Sequence, residues 1–186
     1  MPMRYDPDRH HRRSIRLRGY DYRQTGAYFV TLCSFQRECI FGEVTEDGVL
    51  LTGVGRIVQE CWAALPEHFP FIALDSSILM PNHLHGVLFR YGVDGLPTAP
   101  TPMRPAGTAA GSLGAVIQSF KAMSTRRANA ERGTPGYHLW QRNYYEHIIR
   151  DEEDLNRIRE YILANPGRWA EDAENPLNIP GLNRRS

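Results

Sequence analysis

His83 and His85 are the first residues in this sequence whose types and spacing could do chemistry. They begin the apolar run 83–89, which favours a β-strand, and side chains two residues apart on a strand point to the same face. Two neutral imidazoles placed side by side can share one divalent cation. Two surface histidines on a strand would show the same spacing, so the pair alone leaves both interpretations open.

A second pair, Tyr161 and Asn165, stands four residues apart near the C-terminus. On a helix this spacing places both side chains on one side, about one turn apart. A tyrosine hydroxyl beside a metal-binding amide could attack a phosphorus atom whose oxygen the metal polarises. Taken alone, Tyr161 is more typical of the edge of a core, and Asn165 before Pro166 is an ordinary helix end.

The elements that would position these residues follow from hydrophobic periodicity and turn signals. Three helices are predicted. Apolar residues recur at helical spacing over 54–68, Ser112 can cap a helix over 113–129, and four acidic residues at 151–154 begin a helix that ends before Pro166. Strands are predicted over 27–34, 71–80 and 83–89, within 137–149, and in a hairpin at 41–44 and 49–52. This order predicts an α+β sandwich with one mostly antiparallel sheet and helices packed on one face.

Length and composition exclude several classes of protein. A chain of 186 residues with 41% hydrophobic residues is typical of one globular domain and excludes a multi-domain machine. The sequence has neither an apolar run long enough for a membrane helix nor the apolar segment of a secretory signal, so we expect a cytoplasmic protein. Three cysteines without a Cys-x-x-Cys pair argue against a disulfide framework and against a cysteine zinc site.

Charge is unevenly distributed although the net charge is only +1. Residues 1–23 carry seven Arg against three Asp, and residues 118–150 carry five Arg and one Lys against two Glu. Lys121 is the only lysine, so nearly all positive charge is guanidinium, which suits bidentate contact with phosphate. A genome-wide preference for arginine would give the same composition, so charge alone does not identify a nucleic-acid partner.

These patterns divide the chain into three segments. Residues 1–23 form a basic N-terminal arm, and residues 24–166 form the domain that carries both candidate pairs. A linker rich in proline and glycine interrupts that domain at 91–111, and residues 167–186 are assigned to a C-terminal tail.

Three motifs together resemble a known family. The segment Pro81-Asn82-His83-Leu84-His85-Gly86-Val87-Leu88 resembles the His-hydrophobic-His motif of the IS200/IS605-like single-tyrosine (Y1) HUH transposases. The segments 140–155 and 161–166 resemble the subgroup called REP-associated tyrosine transposases, and Tyr28-Phe29-Val30-Thr31 with Arg37 and Phe41-Gly42 is also similar. The resemblance runs from about residue 12 to residue 170, in the order of the family.

The resemblance implies a fold, a site and an activity. The fold would be a ferredoxin-like or RRM-like sandwich with the histidines on a central strand. His83, His85 and Asn165 would hold Mg²⁺ or Mn²⁺, and Tyr161 would be the nucleophile. The enzyme would cleave and rejoin single-stranded DNA through a 5′-phosphotyrosine intermediate at REP-like hairpins, near the nucleoid, as a monomer or homodimer and without a membrane partner.

The sequence departs from the family pattern at one position and leaves one choice to make. Many members carry Gln four residues after the tyrosine, and Asn165 is shorter by one methylene. Tyr137, Tyr144 and Tyr145 are nucleophiles of the same type, but only Tyr161 has a ligand-type residue four positions on and matches the family position.

Two basic groups are candidate DNA contacts: Arg12, Arg13, Arg16 and Arg18 in the arm, and Lys121, Arg126 and Arg127 on the second long helix. The alternatives are a solubilising tail and a solvated helix face. Two other functions remain open. One is a non-catalytic hairpin-binding protein of the same fold, and the other is an unrelated metal-dependent hydrolase that uses only the histidines.

Overall fold

The computed structural model describes residues 24–92 and 111–178 of the chain. The predicted basic arm, most of the predicted linker and residues 179–186 lie outside the described residues. The described elements are β1 (Gly26–Cys33), β2 (Gly42–Thr45), β3 (Gly48–Leu51), α1 (Gly53–Ala63), α2 (Leu65–His68), β4 (Ile72–Leu79), β5 (His83–Arg90), α3 (Leu113–Arg132), β6 (Tyr145–Ile149) and α4 (Glu152–Ala164). Short 3₁₀ helices span Phe35–Arg37, Pro166–Glu171 and Pro176–Asn178.

Four strands form one antiparallel sheet in the order β4-β5-β1-β6, and β2 pairs with β3 in a separate hairpin. Without that hairpin and the short α2, the elements from β1 to β6 follow the order β-α-β-β-α-β, which is the split arrangement of ferredoxin-like folds, and α4 follows as an additional helix. The register pairs Cys33 with His83 and Thr31 with His85, so β1 lies directly beside the histidine strand. The predicted α+β class, the central antiparallel sheet and the strand that carries the histidines are confirmed.

The main core lies on the sheet face that α1 and α3 cover, as predicted. Alternate residues of the two central strands, including Val30, Leu32 and Leu84, point into this core and are almost fully buried. Trp62 of α1 packs directly on Gly86, where an added Cβ would lie 2.3 Å from the indole ring. Glycine at this position therefore permits the close approach of α1 to the sheet.

The opposite face of the sheet is covered by α4, a position that the sequence alone does not indicate. Phe29, Val87 and Ile149 point to this face and pack against Ile158 and Ile162 of α4. Strand alternation makes this face apolar, and an apolar sheet face needs a covering element. The last helix therefore lies on the same side as the histidines.

The helix boundaries follow local chemistry. Ser112 caps α3 by accepting a hydrogen bond from a backbone N–H group, as predicted. Asp151, predicted to lie in the first turn of the last helix, caps α4 in the same way. The predicted helix over 54–68 divides into α1 and α2, because Pro66 has no N–H for the helical hydrogen bond. No helix in the described part of the chain is long and apolar enough to cross a membrane.

Candidate active site between strand β5 and helix α4

Strand β5 places His83 and His85 side by side on the face that α4 covers. Their ring centroids are 4.5 Å apart, and the residues are 0% and 3% exposed. Leu84 between them points into the main core on the other face. The histidines are therefore buried and adjacent, and the interpretation of two surface histidines is excluded.

Each imidazole is oriented by a hydrogen bond at Nδ1. Thr31 Oγ1 lies 2.8 Å from Nδ1 of His85, and Asn82 Oδ1 lies 2.9 Å from Nδ1 of His83. The Asn82 amide donates to the backbone oxygens of Arg37 and Glu174, so its Oδ1 must accept from His83. The proton of His83 is thereby assigned to Nδ1, which leaves the Nε2 lone pair directed into the site.

Burial keeps both imidazoles neutral. Burial and, to a smaller extent, the Arg37 charge lower the pKa of His83 to about 3, and the nearby Asn165 side chain opposes these effects. Burial also lowers the pKa of His85 well below its usual value, with a contribution from His83. At neutral pH both rings therefore carry lone pairs and no charge.

Helix α4 brings the second predicted pair to the histidines of the same chain. The hydroxyl oxygen of Tyr161 lies 3.3 Å from Nε2 of His85, and the tyrosine ring packs edge-on against Phe29. Tyr161 is 41% exposed, so its hydroxyl can be reached from outside. Asn165, one turn further on, is 2% exposed. One buried donor atom and one accessible nucleophile thus share a helix side, as the spacing predicts.

The donor atoms fit a divalent cation. Nε2 of His83 and Oδ1 of Asn165 are buried and have no hydrogen-bond partner among the described residues. Such atoms are costly unless something binds them, and imidazole with amide oxygen is a common donor set for divalent metals. No group of three or more His, Cys, Asp or Glu side chains able to hold a metal occurs within residues 24–92 and 111–178, so the candidate set depends on the amide of Asn165.

Residues after α4 form one wall of the site, although the sequence assigns them to a C-terminal tail. The ring of Trp169 lies 6.0 Å from that of His83, and Asp172 Oδ2 lies 3.9 Å from His83 Nε2. Burial raises the pKa of Asp172. Glu174 forms an ion pair with Arg37 and accepts from the Cys33 thiol at 3.3 Å. The available signal was a tryptophan and several acidic residues soon after Asn165.

The other candidate tyrosines have different surroundings. The hydroxyl of Tyr137 donates to Glu38, and the ring of Tyr144 lies 5.5 Å from the Lys121 ammonium. Tyr145 packs against Phe29 with ring centroids 6.3 Å apart, and burial raises its pKa. The hydroxyl of Tyr161 contacts a ring nitrogen of His85.

Of the candidate DNA contacts, Arg12, Arg13, Arg16 and Arg18 lie outside the described residues. Lys121 is half-buried and donates to the backbone oxygens of Gln141 and Asn143, and burial lowers its pKa to about 8. Arg127 pairs with Glu60 of α1 at 2.6 Å. Arg126 is exposed on α3.

An uncharacterized protein of Haemophilus influenzae is 40% identical to this chain over 177 residues, which cover 92% of this chain and 97% of that protein. The chain belongs to the family of that protein. No model of a described protein family matches the chain. Family membership supplies no activity, because the H. influenzae protein is itself uncharacterized.

Two solved structures show weak likeness. A REP-associated tyrosine transposase bound to a REP hairpin has a TM-score of 0.49 and 16% identity, covering 77% of this chain and 67% of that chain. A candidate transposase from Deinococcus radiodurans has a TM-score of 0.40 and 17% identity, covering 81% of this chain and 96% of that chain. At these values neither likeness assigns a function to the family.

Proposed function

We propose that this chain is a metal-dependent HUH transposase that nicks single-stranded DNA and rejoins it through a phosphotyrosine, acting at REP-like hairpin sequences. The observation that carries the proposal is the contact between Tyr161 and His85. An accessible phenol lies 3.3 Å from a buried, neutral imidazole, with His83 and Asn165 beside it. This juxtaposition joins the motifs that resemble the REP-associated tyrosine transposases.

His83, His85 and Asn165 would hold Mg²⁺ or Mn²⁺ through two imidazole nitrogens and an amide oxygen. When bound, a divalent cation supplies Lewis acidity to a non-bridging oxygen of the scissile phosphodiester. Asn82 accepts from Nδ1 of His83 and so keeps the Nε2 lone pair of that ring directed into the site, and the Thr31 hydroxyl orients the His85 ring through its Nδ1. The two histidine rings are thus held in position by Thr31 on β1 and by Asn82, which directly precedes β5.

Tyr161 performs the transfer. Its oxygen attacks phosphorus, and the bond from phosphorus to the 3′ oxygen breaks. The phenol loses its proton and the released 3′ oxygen gains one, so the step changes no net proton count. The products are a 5′-phosphotyrosine adduct and a free 3′-OH. One phosphodiester replaces another, so a 3′-OH can reverse the step and join strands without a nucleotide cofactor.

A labelled single-stranded oligonucleotide carrying a hairpin from beside the gene tests the proposal. With Mn²⁺ or Mg²⁺, we expect a slow-migrating covalent adduct on a denaturing gel. The adduct should disappear in Tyr161→Phe and in His83→Ala/His85→Ala. Tyr145→Phe is the matched control, because Tyr145 lies on the same sheet face, and it should keep adduct formation.

Two outcomes would contradict the mechanism. Cleavage that persists in Tyr161→Phe would indicate a metal-dependent hydrolase that does not use the tyrosine. Tight hairpin binding without an adduct under any metal would indicate a non-catalytic hairpin-binding protein.

A further inference from the structure

An open cleft of about 410 Å³ lies between α3 and residues 138–142. Three of its lining side chains are cationic, and no acidic side chain of the described residues lines it. These three are Lys121, Arg126 and Arg142. A concave surface with basic side chains of one sign attracts anions.

Two of these charges have no internal function. Arg126 and Arg142 are exposed, and no carboxylate in residues 24–92 or 111–178 forms an ion pair with either. Other arginines differ: Arg157 pairs with Asp154 and Arg159 with Asp75, each at 2.6 Å. The guanidinium groups at the cleft are therefore free for an external partner.

Lys121 holds the two walls of the cleft together. Its ammonium donates to the backbone oxygens of Gln141 at 2.9 Å and of Asn143 at 3.0 Å, which ties α3 to the segment before β6. Both distances are ordinary for hydrogen bonds from a charged donor. The cleft is thus a fixed feature of the fold.

The cleft opens at the end of the sheet where the candidate active site begins. Trp140 forms an isolated bridge with Ser34, and the N–H of Gln141 donates to Cys33 O. Cys33 pairs with His83 across the sheet. Lys121 at the cleft and Arg37 near the histidines both act on the Cys33 thiol, and Glu174, which pairs with Arg37, acts on it with the opposite sign.

We infer that this cleft binds the sugar–phosphate backbone of single-stranded DNA next to the scissile phosphate, with Arg126 and Arg142 contacting phosphates. The inference rests on the proposed function, which supplies the substrate class. Guanidinium groups suit phosphate oxygens because they can donate two parallel hydrogen bonds. The cleft adds a second point of attachment for the strand that Tyr161 cleaves.

Recognition in the cleft is independent of base sequence. Trp140 is the aromatic residue with the largest ring in the lining, but it is 7% exposed and its Nε1 donates to Ser124 Oγ. It packs against Phe41 and Phe120 in the core and offers no open face for stacking on a base. The cleft therefore contacts the phosphates through its charged side chains and does not stack on the bases.

Equilibrium binding of a fluorescent single-stranded oligonucleotide, measured by anisotropy at several salt concentrations in EDTA, tests this inference. Arg126→Ala/Arg142→Ala should weaken binding about tenfold near 0.1 M salt and reduce the slope of log K against log salt by about 1.4, because each phosphate contact contributes about 0.7. The matched control is Arg56→Ala/Arg150→Ala, which removes the same charge from exposed positions on α1 and at the opposite end of β6. It should leave the slope unchanged.

Shortened oligonucleotides locate the bound phosphates. Removing the nucleotides on one side of the cleavage site should abolish the difference between wild type and Arg126→Ala/Arg142→Ala, whereas removal on the other side should not. Equal salt slopes for the cleft variant and its control would overturn the inference, and the adduct assay would still test the proposed function independently. A wild-type protein that binds no single-stranded DNA at any salt concentration would overturn both.

Discussion

The hydroxyl of Thr31 orients the ring of His85, one of the three candidate metal ligands. Its Oγ1 lies 2.8 Å from Nδ1 of His85 and keeps the Nε2 side of the ring facing Tyr161. Thr31→Val preserves the shape and the β-branch, so the strand should persist. We expect a 10- to 100-fold loss of Mn²⁺ affinity, the usual effect of removing such a supporting bond, measured by calorimetric titration.

A matched control is available for this prediction. Thr45→Val removes an exposed threonine hydroxyl on the separate β2–β3 hairpin, where it bonds only to Gly48 O. It should bind Mn²⁺ as the wild type does. Equal affinities for Thr31→Val and wild type would show that the hydrogen bond to His85 does not prepare the metal site.

Both buried histidines should make the metal-free protein sensitive to mild acid. Their pKa values lie below 6.5 in the folded state, near 3 for His83, so below pH 6.5 the unfolded chain binds more protons. The contribution of the neutral histidines to the free energy of unfolding is fully present above pH 6.5. It falls toward pH 3, by up to about 1.4 kcal/mol per pH unit for each histidine. Urea unfolding in EDTA at pH 7.5 and 5.5 measures this loss.

The double variant His83→Gln/His85→Gln should flatten the pH dependence between these two values, whatever its own stability. His68→Gln, at an exposed position on α2, is the control for the substitution itself. The stabilisation from carboxylates with lowered pKa values, such as Asp75, is complete above their unfolded pKa near 3.8, so these groups do not add to the pH dependence between pH 7.5 and 5.5. A slope that is the same in wild type and in the double variant would contradict the prediction.

Helix α4 is the element whose position determines the distance between nucleophile and histidines. Arg159, two residues before Tyr161, donates through Nε and Nη2 to both carboxylate oxygens of Asp75 on β4, at 2.9 and 2.6 Å. The pair is partly exposed, so we expect a coupling of only about 1 kcal/mol in a double-mutant cycle of Asp75→Asn and Arg159→Gln. Urea unfolding of the four proteins measures it.

The same helix offers a control pair. Arg157 and Asp154 are also 2.6 Å apart, but Arg157 has 67% of its side chain exposed and makes one contact with that carboxylate. Its coupling should be smaller than that of Arg159 and Asp75. If the Asp75–Arg159 cycle showed no coupling, α4 would be held by its apolar contacts alone.

The contact of α1 with the sheet depends on Gly86. An added Cβ would lie 2.3 Å from a carbon of the Trp62 ring, and a rigid indole between α1 and the sheet cannot move away easily. Gly86→Ala should destabilise the fold by about 1–3 kcal/mol, the usual range for overpacking, as measured by urea unfolding. Gly167→Ala, where an added Cβ meets nothing within 4 Å, is the control.

The elements were readable from sequence where local patterns determine them. The Ser112 cap and the acidic residues at 151–154 predicted two helix starts, and the apolar run 83–89 predicted the histidine strand, because these are local effects. The position of α4 on the histidine face was not predicted, since it depends on Phe29, Val87 and Ile149 meeting across different strands. Pairings of this kind are not visible in any single segment.

The site shows the same limit at the residue scale. The spacing of Tyr161 and Asn165 predicted a shared helix side, but not that Tyr161 Oη would lie 3.3 Å from His85 Nε2. Asn82 and Thr31 lacked any sequence signal for their contacts, because their partners are set by β1–β5 register and by segments distant in sequence. Glu174 was assigned to a tail because the segment lacks periodicity, yet it reaches the site.

At the scale of the whole molecule, the segment after α4 closes one side of the fold. Asn82 is 0% exposed and donates one amide hydrogen to Glu174 O, and Arg37 pairs with the Glu174 carboxylate. A chain that ends at Gly167 loses both contacts and leaves a buried donor without its partner. We expect a loss of at least about 2 kcal/mol in the free energy of unfolding, because an unsatisfied buried donor alone costs about 1–3 kcal/mol.

Urea unfolding of the chain ending at Gly167 measures this loss, with a chain ending at Asn178 as the control that keeps the whole described segment. Glu174→Gln should show a smaller loss than the shorter chain, because it removes the ion pair with Arg37 but keeps the backbone oxygen that Asn82 binds. Equal unfolding midpoints for the two truncated chains would show that residues 168–178 do not stabilise the domain. The segment beside His83 would then cover the site without contributing to the free energy of unfolding.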